Sequence, residues 1–497
     1  MSSPTLLWIR QIGSANPDFA AAIATDHEAN VFISGSTSGD LDGQSRGSSD
    51  AFLAKFDAQG NQLWLKQLGA VSEDRAYGIA TDPMGNVFIS GTTSGDLDGQ
   101  SRGSSDAFLA KFDTRGNQLW LKQLGAARDD SAQAIATDQQ GNVFISGYTS
   151  GDLDGQSKGS YDAFLAKFDA QGKQLWLKQL GAATEDSASD ITTDLMGNVF
   201  ISGSTSGDLD GQSKGGSDAF LAKFDAQGNQ LWLKQLGAAR DDSAQAIATD
   251  LFGNVFISGR TSGDLDGQSK GGSDAFLVKF DAQGNQLWLK QLGSATEDQS
   301  FGIATDSMGN IFISGRTSGD LDGQSKGGSD AFLAKFDAQG NQLWLEQLGS
   351  ARDDSAQAIA TDQQGNVFIS GYTLGVLGGQ SKGSYDAFLA RYMDGLSISQ
   401  HHLILSSRID KLSSELAELK HAQLPVDLNL ALIQAANGRT KGKGDGRISK
   451  ADVKEIIVLA RDAAGNISET NQKTLAYLFA RYSLTGGAKE LILKALS

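Results

Sequence analysis

An all-β, seven-bladed β-propeller closed into a ring, followed by a small α-helical region, is the fold the sequence predicts. Three observations predict it. First, Asp-Ala-Phe-Leu recurs at Asp50, Asp106, Asp162, Asp218, Asp274, Asp330 and Asp386, each 56 residues after the last, and all seven tryptophans, Trp8 to Trp344, keep the same period. A fixed period near this length marks a solenoid, propeller or array. Second, each period contains four short segments rich in Val, Ile, Phe and Trp, separated by turn signals. Third, the ends of the array complement each other. The last repeat stops after "DAFLARYMDG" at 395, and its missing strand stands at the other end of the chain as "LLWIRQIG", residues 6–13. Trp8 plus 56 is Trp64, so this segment is in register, and closure hides both sheet edges. An open solenoid would want capping units instead.

The elements follow in order. "LLWIRQIG" is the closing strand. Each repeat then opens with an "AIATD"-type strand, the innermost, and turns through D-x-x-G-N, as at Asp138 to Asn142. "NVFISG" is the second strand, followed by a loop of about 14 residues and "DAFLAKFD" as the third. Another D-x-x-G-N turn, as at Asp57 to Asn61, leads into the outermost strand "QLWLKQLG". Glycine in the fourth place of such a turn supplies the left-handed residue of a hairpin bulge. Apolar residues on both strand faces suit blades stacked against one another. The propeller therefore spans 1–395.

After 395 the pattern turns helical. Residues 396–424 form a connector in which Leu405, Ile409, Leu412, Leu416 and Leu419 step by four and three, a short heptad seam. Two expectations attach to it: a coiled coil that makes a homo-oligomer through 405–419, or one amphipathic helix packed on its own chain. Leu424-Pro425 marks the next boundary. Residues 426–497 read as a small helical domain.

The repeat "DDSAQAIATDQQGNVFISGYTSG" resembles the bacterial seven-bladed β-propeller repeat family known as SBBP repeats. The resemblance covers 5–395. It implies the fold, a place as a module in bacterial surface and secreted proteins, and no shared catalytic residues. "GDGRISKADVKEII" and "AGNISETNQKTLAYLF" within 426–497 resemble a paired EF-hand, with Ile448 and Ile467 where the loops would bridge. The ligand positions depart from that pattern: Lys441 and Lys443 take the first two, Asp452 the last, and Ala460 and Asn471 stand at the ends of the second loop. The resemblance therefore implies the fold of this region without its calcium. Asp445 stands among Arg439, Lys441, Lys443, Arg447 and Lys450, a basic loop suited to an acidic surface.

The formal charge is −17, which disfavours nucleic acid and anionic membranes as partners and favours cations or basic surfaces. There is no cysteine, so disulfides and thiol catalysis are excluded. No apolar run is long enough to span a bilayer, and the N-terminus lacks the pattern of a cleaved leader. Export to the cell surface or medium by a leaderless route is expected ahead of a cytoplasmic location.

In a propeller, alternate connections share a face. The tight D-x-x-G-N turns fall on one face, and the long loops between second and third strands and between successive blades fall on the other. That face is acidic. The first set of loops carries "GDLDGQS" six times, with Asp40 and Asp42, Asp96 and Asp98, Asp152 and Asp154, Asp208 and Asp210, Asp264 and Asp266, and Asp320 and Asp322; in blade seven it becomes "GVLGGQS". Carboxylates two apart before a glycine suggest part of a calcium loop. The same residues also make an Asx-type turn in which Asp caps backbone N–H groups. The inter-blade loops carry Asp18, Asp74, Asp130, Asp186, Asp242, Asp298 and Asp354, expected to ring the axis, either as a cation site or as local caps. The tryptophans suit packing between blades or stacking on sugars.

Seven copies of one loop give equal groups, whereas catalysis needs different groups converging on one place. The sequence therefore predicts a non-enzymatic, multivalent binding scaffold for a protein or glycan partner. The alternative is a structural subunit of a surface layer, fibre or other assembly, with an enzyme third.

Overall fold

A computed structural model describes residues 3–394, apart from Gln44, Gln100, Gln156, Gln212, Gln268, Gly323 and Gln324. The helical connector at 396–424, its seam at 405–419, and the EF-hand-like region at 426–497 lie outside the described residues. No helix among the described residues is long and apolar enough to cross a membrane.

The described chain is seven four-stranded antiparallel sheets. We call their strands A to D from the axis outward. In blade 1 they are Asp18–Thr25, Val31–Thr37, Asp50–Phe56 and Gln62–Leu68. Blade 7 takes strands A to C from Asp354–Thr361, Asn366–Thr373 and Asp386–Met393, and strand D from Thr5–Ile12. That closing strand pairs antiparallel with Asp386–Met393, from Thr5 opposite Met393 to Ile12 opposite Ala387. The ring is therefore closed by hydrogen bonds between the two ends of the propeller.

Strand alternation explains the packing. Successive side chains point to opposite faces, and here each face meets a different blade. Phe32, Ala51 and Leu53 of blade 1 pack with Ile79, Val87, Ile89 and Phe108 of blade 2. Val31, Ile33, Phe52 and Phe56 pack the other way, against Ile12, Phe368 and Leu389 of blade 7. Burying each phenylalanine contributes roughly 1.5–3 kcal/mol, so the interfaces between blades are the core.

Polar groups lock the same interfaces. Trp64 Nε1 donates to Thr114 O of blade 2 at 3.2 Å, and Trp8 Nε1 donates to Ala58 O of blade 1 at the same distance. The indoles lie on turn glycines: a Cβ added to Gly116, whose φ is +78°, would meet the Trp64 ring at 3.0 Å. The tryptophans thus pack between blades. Lys111, inside the apolar "DAFLAKF" run, is buried. Its ammonium sits 4.8 Å from the Phe88 ring centre and donates to Ala170 O of the next blade at 3.3 Å. Blade 7 carries Arg391 at this position, and it donates to Ala58 O across the closing seam.

Around the axis, the last threonine of each strand A donates its hydroxyl to the carbonyl of its counterpart in the preceding blade. The bonds run from Thr81 to Thr25 at 3.0 Å, through Thr137, Thr193, Thr249, Thr305 and Thr361, and return from Thr25 to Thr361 O at 3.0 Å. Each threonine donates to one neighbour and accepts from the other, so the seven form one closed cycle.

Candidate functional site

The long loops on one face are built by a glutamine the sequence reading passed over. In blade 1, Gln67 of strand D donates Nε2 to Gly39 O at 3.0 Å and to Asp50 Oδ2 at 2.7 Å, and its Oε1 accepts from Leu41 N at 3.1 Å. One side chain therefore pins both ends of the B–C loop to the sheet. Gln123, Gln179, Gln235, Gln291 and Gln347 repeat it, and Gln11 of the closing strand serves blade 7. Asp50 is buried, and its Oδ2 also accepts from Arg46 N at 2.8 Å.

The paired aspartates take different duties. The second of each pair caps strand D: Gln67 N donates to Asp42 Oδ2 at 3.0 Å, and Asp98, Asp154, Asp210, Asp266 and Asp322 accept the equivalent bond at 3.0–3.1 Å. The first acts within its own loop. Asp40 Oδ1 accepts from Gly43 N at 2.5 Å, and Asp152 Oδ1 from Ser157 N at 2.7 Å. Asp96, Asp208, Asp264 and Asp320 occupy the same place in their loops. Oδ1 of Asp42, Asp98, Asp266 and Asp322 is shielded from solvent and has no hydrogen-bond partner among the described residues. Among the described residues, no three His, Cys, Asp or Glu side chains gather as a metal cluster.

Blade 7 departs at both positions, as Val376 and Gly378. A Cβ on Gly378 would meet Ile9 Cβ at 2.5 Å, so the loop lies directly on the closing strand and leaves no room for an aspartate. Gln11 still holds this loop, through Gly375 O and Leu377 N.

The aspartates opening strand A are fully buried rather than presented to the axis. Each Oδ2 accepts from the amide four residues earlier, as Ala70 N to Asp74 at 2.7 Å and Ala182 N to Asp186 at 2.7 Å. Burial raises their carboxyl pKa, opposed by a strand-B threonine hydroxyl and the turn amide. The acids just before them stay at the surface, notably Glu73, Glu185, Asp241, Glu297 and Asp353.

Two further features break the sevenfold pattern. Strand A carries Ala or Gly at 22, 78, 134, 246, 302 and 358, but Asp190 in blade 4. Asp190 accepts from Ile191 N and from Ile247 N of blade 5, both at 2.8 Å, while desolvation pushes its carboxyl up to about 7. A cavity of about 730 Å³ also opens where the loops of blades 3, 4 and 5 meet, lined in part by Tyr148, Tyr161, Glu185, Asp241 and Arg260. The signal for Asp190 was in the sequence, as a departure at a position that is otherwise Ala or Gly, whereas the cavity-lining positions of Tyr148 and Ser187 vary from blade to blade.

Comparison with known proteins fits this geometry. The family model for the SBBP β-propeller repeat matches seven times, at 7–42, 63–98, 119–154, 175–210, 231–266, 287–322 and 343–378. The chain belongs to the SBBP β-propeller repeat family. Among curated proteins it is similar to the regulatory protein FlaEY of Caulobacter vibrioides, 30% identical over 173 residues, covering 31% of this chain and 18% of that protein. It is also similar to an uncharacterised WD repeat-containing protein of Acanthamoeba polyphaga mimivirus, 22% identical, covering 74% of this chain and 36% of that protein. The SBBP chain thus matches well under half the length of either relative. Among solved structures, the Neurospora crassa Pan2 WD40 domain aligns with a TM-score of 0.44 and 10% identity, over 78% of this chain and 96% of that one. A Bacteroides caccae protein of unknown function aligns with a TM-score of 0.34 and 12% identity, over 60% and 89%.

Proposed function

We propose that the propeller is a non-enzymatic, multivalent binding scaffold whose long-loop face engages a protein or glycan partner. The observation that carries this reading is the repeated loop set: near-identical loops, each pinned by one glutamine, on one face of a closed ring. Such a scaffold holds equivalent weak sites at fixed spacing, and weak sites gain by avidity when the target is also repeated. The acids that precede strand A in blades 2 to 7, five of them exposed, and the charge of −17 favour a basic protein surface. Similarity to a WD repeat-containing protein agrees with a role in protein interaction.

The test is surface plasmon resonance of the full chain over a lysine-rich peptide immobilised at low and high density. Multivalency predicts dissociation that slows as density rises, and loses that dependence when Glu73, Asp129, Glu185, Asp241, Glu297 and Asp353 are all replaced by the corresponding amides. Dissociation independent of density overturns multivalency. Higher oligomers without any ligand favour the structural-subunit alternative.

Calcium is a second reading of the aspartate pairs. The shielded, unpartnered Oδ1 of Asp42, Asp98, Asp266 and Asp322 favours it, and their Oδ2 caps favour the turn. Under the calcium reading, millimolar calcium raises Tm by linkage and titrates near six sites. Under the turn reading it does neither.

A further inference from the structure

The tyrosine pair of blade 3 occurs twice in the ring, and its two copies differ in one neighbour. Tyr372 and Tyr385 of blade 7 meet edge to face at 5.6 Å, and Phe19 of blade 1 packs on both rings, at 5.3 and 5.0 Å. Tyr148 and Tyr161 of blade 3 meet the same way at 5.4 Å and 88°. Where Phe19 would stand, blade 4 has Ser187, and here the cavity of about 730 Å³ opens. The aromatic corner is filled at one junction and left open at the other.

Arg260 also lines this cavity. In blade 6, Arg316 reaches Glu297 at 3.7 Å. In blade 5 the acid is the shorter Asp241, whose Oδ1 instead accepts from Ser217 N at 3.1 Å. Among the described residues the exposed Arg260 forms no ion pair. Glu185, also exposed, lines the same cavity together with serine hydroxyls of blades 4 and 5.

We propose that this cavity binds one neutral saccharide unit, a hexose or N-acetylhexosamine. The inference deepens the reading of the long-loop face as a binding face. Charge selects the ligand class. A cation suits Glu185 and Asp241 but meets Arg260; an anion suits Arg260 but meets the two carboxylates. A neutral polyol uses all three: guanidinium and carboxylates are bidentate partners for adjacent hydroxyls, and serines add single donors and acceptors. The faces of Tyr148 and Tyr161 offer an apolar surface for the C–H side of a sugar ring. A cavity of this size with a few convergent polar groups falls in the range of small-ligand sites.

The experiment is saturation-transfer NMR on the full chain with methyl glycosides of glucose, galactose, mannose and N-acetylglucosamine, methyl glucuronide, and a hexalysine peptide, followed by calorimetric titration of any binder. The expected result is binding of at least one neutral glycoside, through its ring protons, at one site per chain. Ser187→Phe, which places here the residue that fills the blade 7 junction, abolishes it. Tyr161→Ala raises Kd about tenfold, while Tyr385→Ala leaves Kd unchanged. Retained melting temperature in each variant shows that the ring is intact. Failure of every neutral glycoside, or binding that survives Ser187→Phe, overturns the proposal, as does preference for hexalysine or glucuronide at this position. Six or seven equivalent sugar sites insensitive to Ser187→Phe overturn it while sustaining multivalency. One Ser187→Phe-sensitive site, with density-independent dissociation from the lysine-rich surface, sustains it while multivalency fails.

Discussion

Replacing Asp190 by the alanine that stands at 134, 246 and 358 should lessen the pH dependence of stability. In the folded chain the carboxyl protonates at about 7 because it is desolvated, and hydrogen bonds from two backbone amides only partly compensate. Unfolded, it protonates near 4. Between these pH values the native state holds a proton that the unfolded state has lost, so stability falls as pH rises through the window. A gap from 3.8 to about 7 corresponds to on the order of 4 kcal/mol. The side chain keeps some contact with solvent, which lessens this to a few kcal/mol. For a ring of about 390 residues each kcal/mol moves Tm by about 1 °C. The other strand-A aspartates contribute with the same sign, so the informative quantity is the difference between the two proteins. Melting followed by circular dichroism at pH 4, 5, 6 and 7 should show Asp190→Ala no more stable than the parent at pH 4, since Ile247 N loses its acceptor, and about 2–4 °C more stable at pH 7. Parallel Tm curves for the two proteins would refute the reasoning.

Deleting residues 1–13 removes Ile9, Ile12 and the Trp8 bond to Ala58 O and exposes the edge of Asp386–Met393. The expected loss is roughly 5–10 kcal/mol, or about 5–10 °C in Tm; an unchanged Tm would show that the ring does not depend on this closure. Gln291→Ala leaves Leu265 N and Gly263 O without their partner and Asp274 Oδ2 with one donor fewer. Amide exchange at Leu265 should then quicken by about tenfold or more while other blades keep their protection, and unaltered exchange at Leu265 counts against the glutamine as the loop's anchor. Ile409→Asp with Leu416→Asp should leave the propeller folded and reduce any oligomer to monomer in light scattering; identical masses rule out the coiled coil.

Much of the fold was legible because it is written in periodicity. The 56-residue repeat fixed blade number, and the displaced "LLWIRQIG" fixed closure, since a strand in register with Trp64 has one partnerless edge to fill. The same uniformity hid the roles of individual residues. Lys111 reads as the polar residue of an otherwise apolar strand, yet the next blade's turn and the Phe88 ring enclose it. The aspartates opening each strand A read either as a cation site or as local caps, and only the folded loop decides: each accepts from the amide of its own turn.

By itself, then, the sequence determined what repeats: strand number, turn chemistry, the alternating apolar pattern and the closing strand, all of which follow from local periods of two and 56 residues. Tertiary structure decided which distant groups meet. The threonine cycle, the glutamine anchors and the loss of aspartate at Gly378 beside Ile9 depend on groups tens or hundreds of residues apart. So does the open junction between Tyr148 and Ser187. Whether a side chain is buried, capped or free there depends on which neighbour closes over it, and that neighbour belongs to another blade.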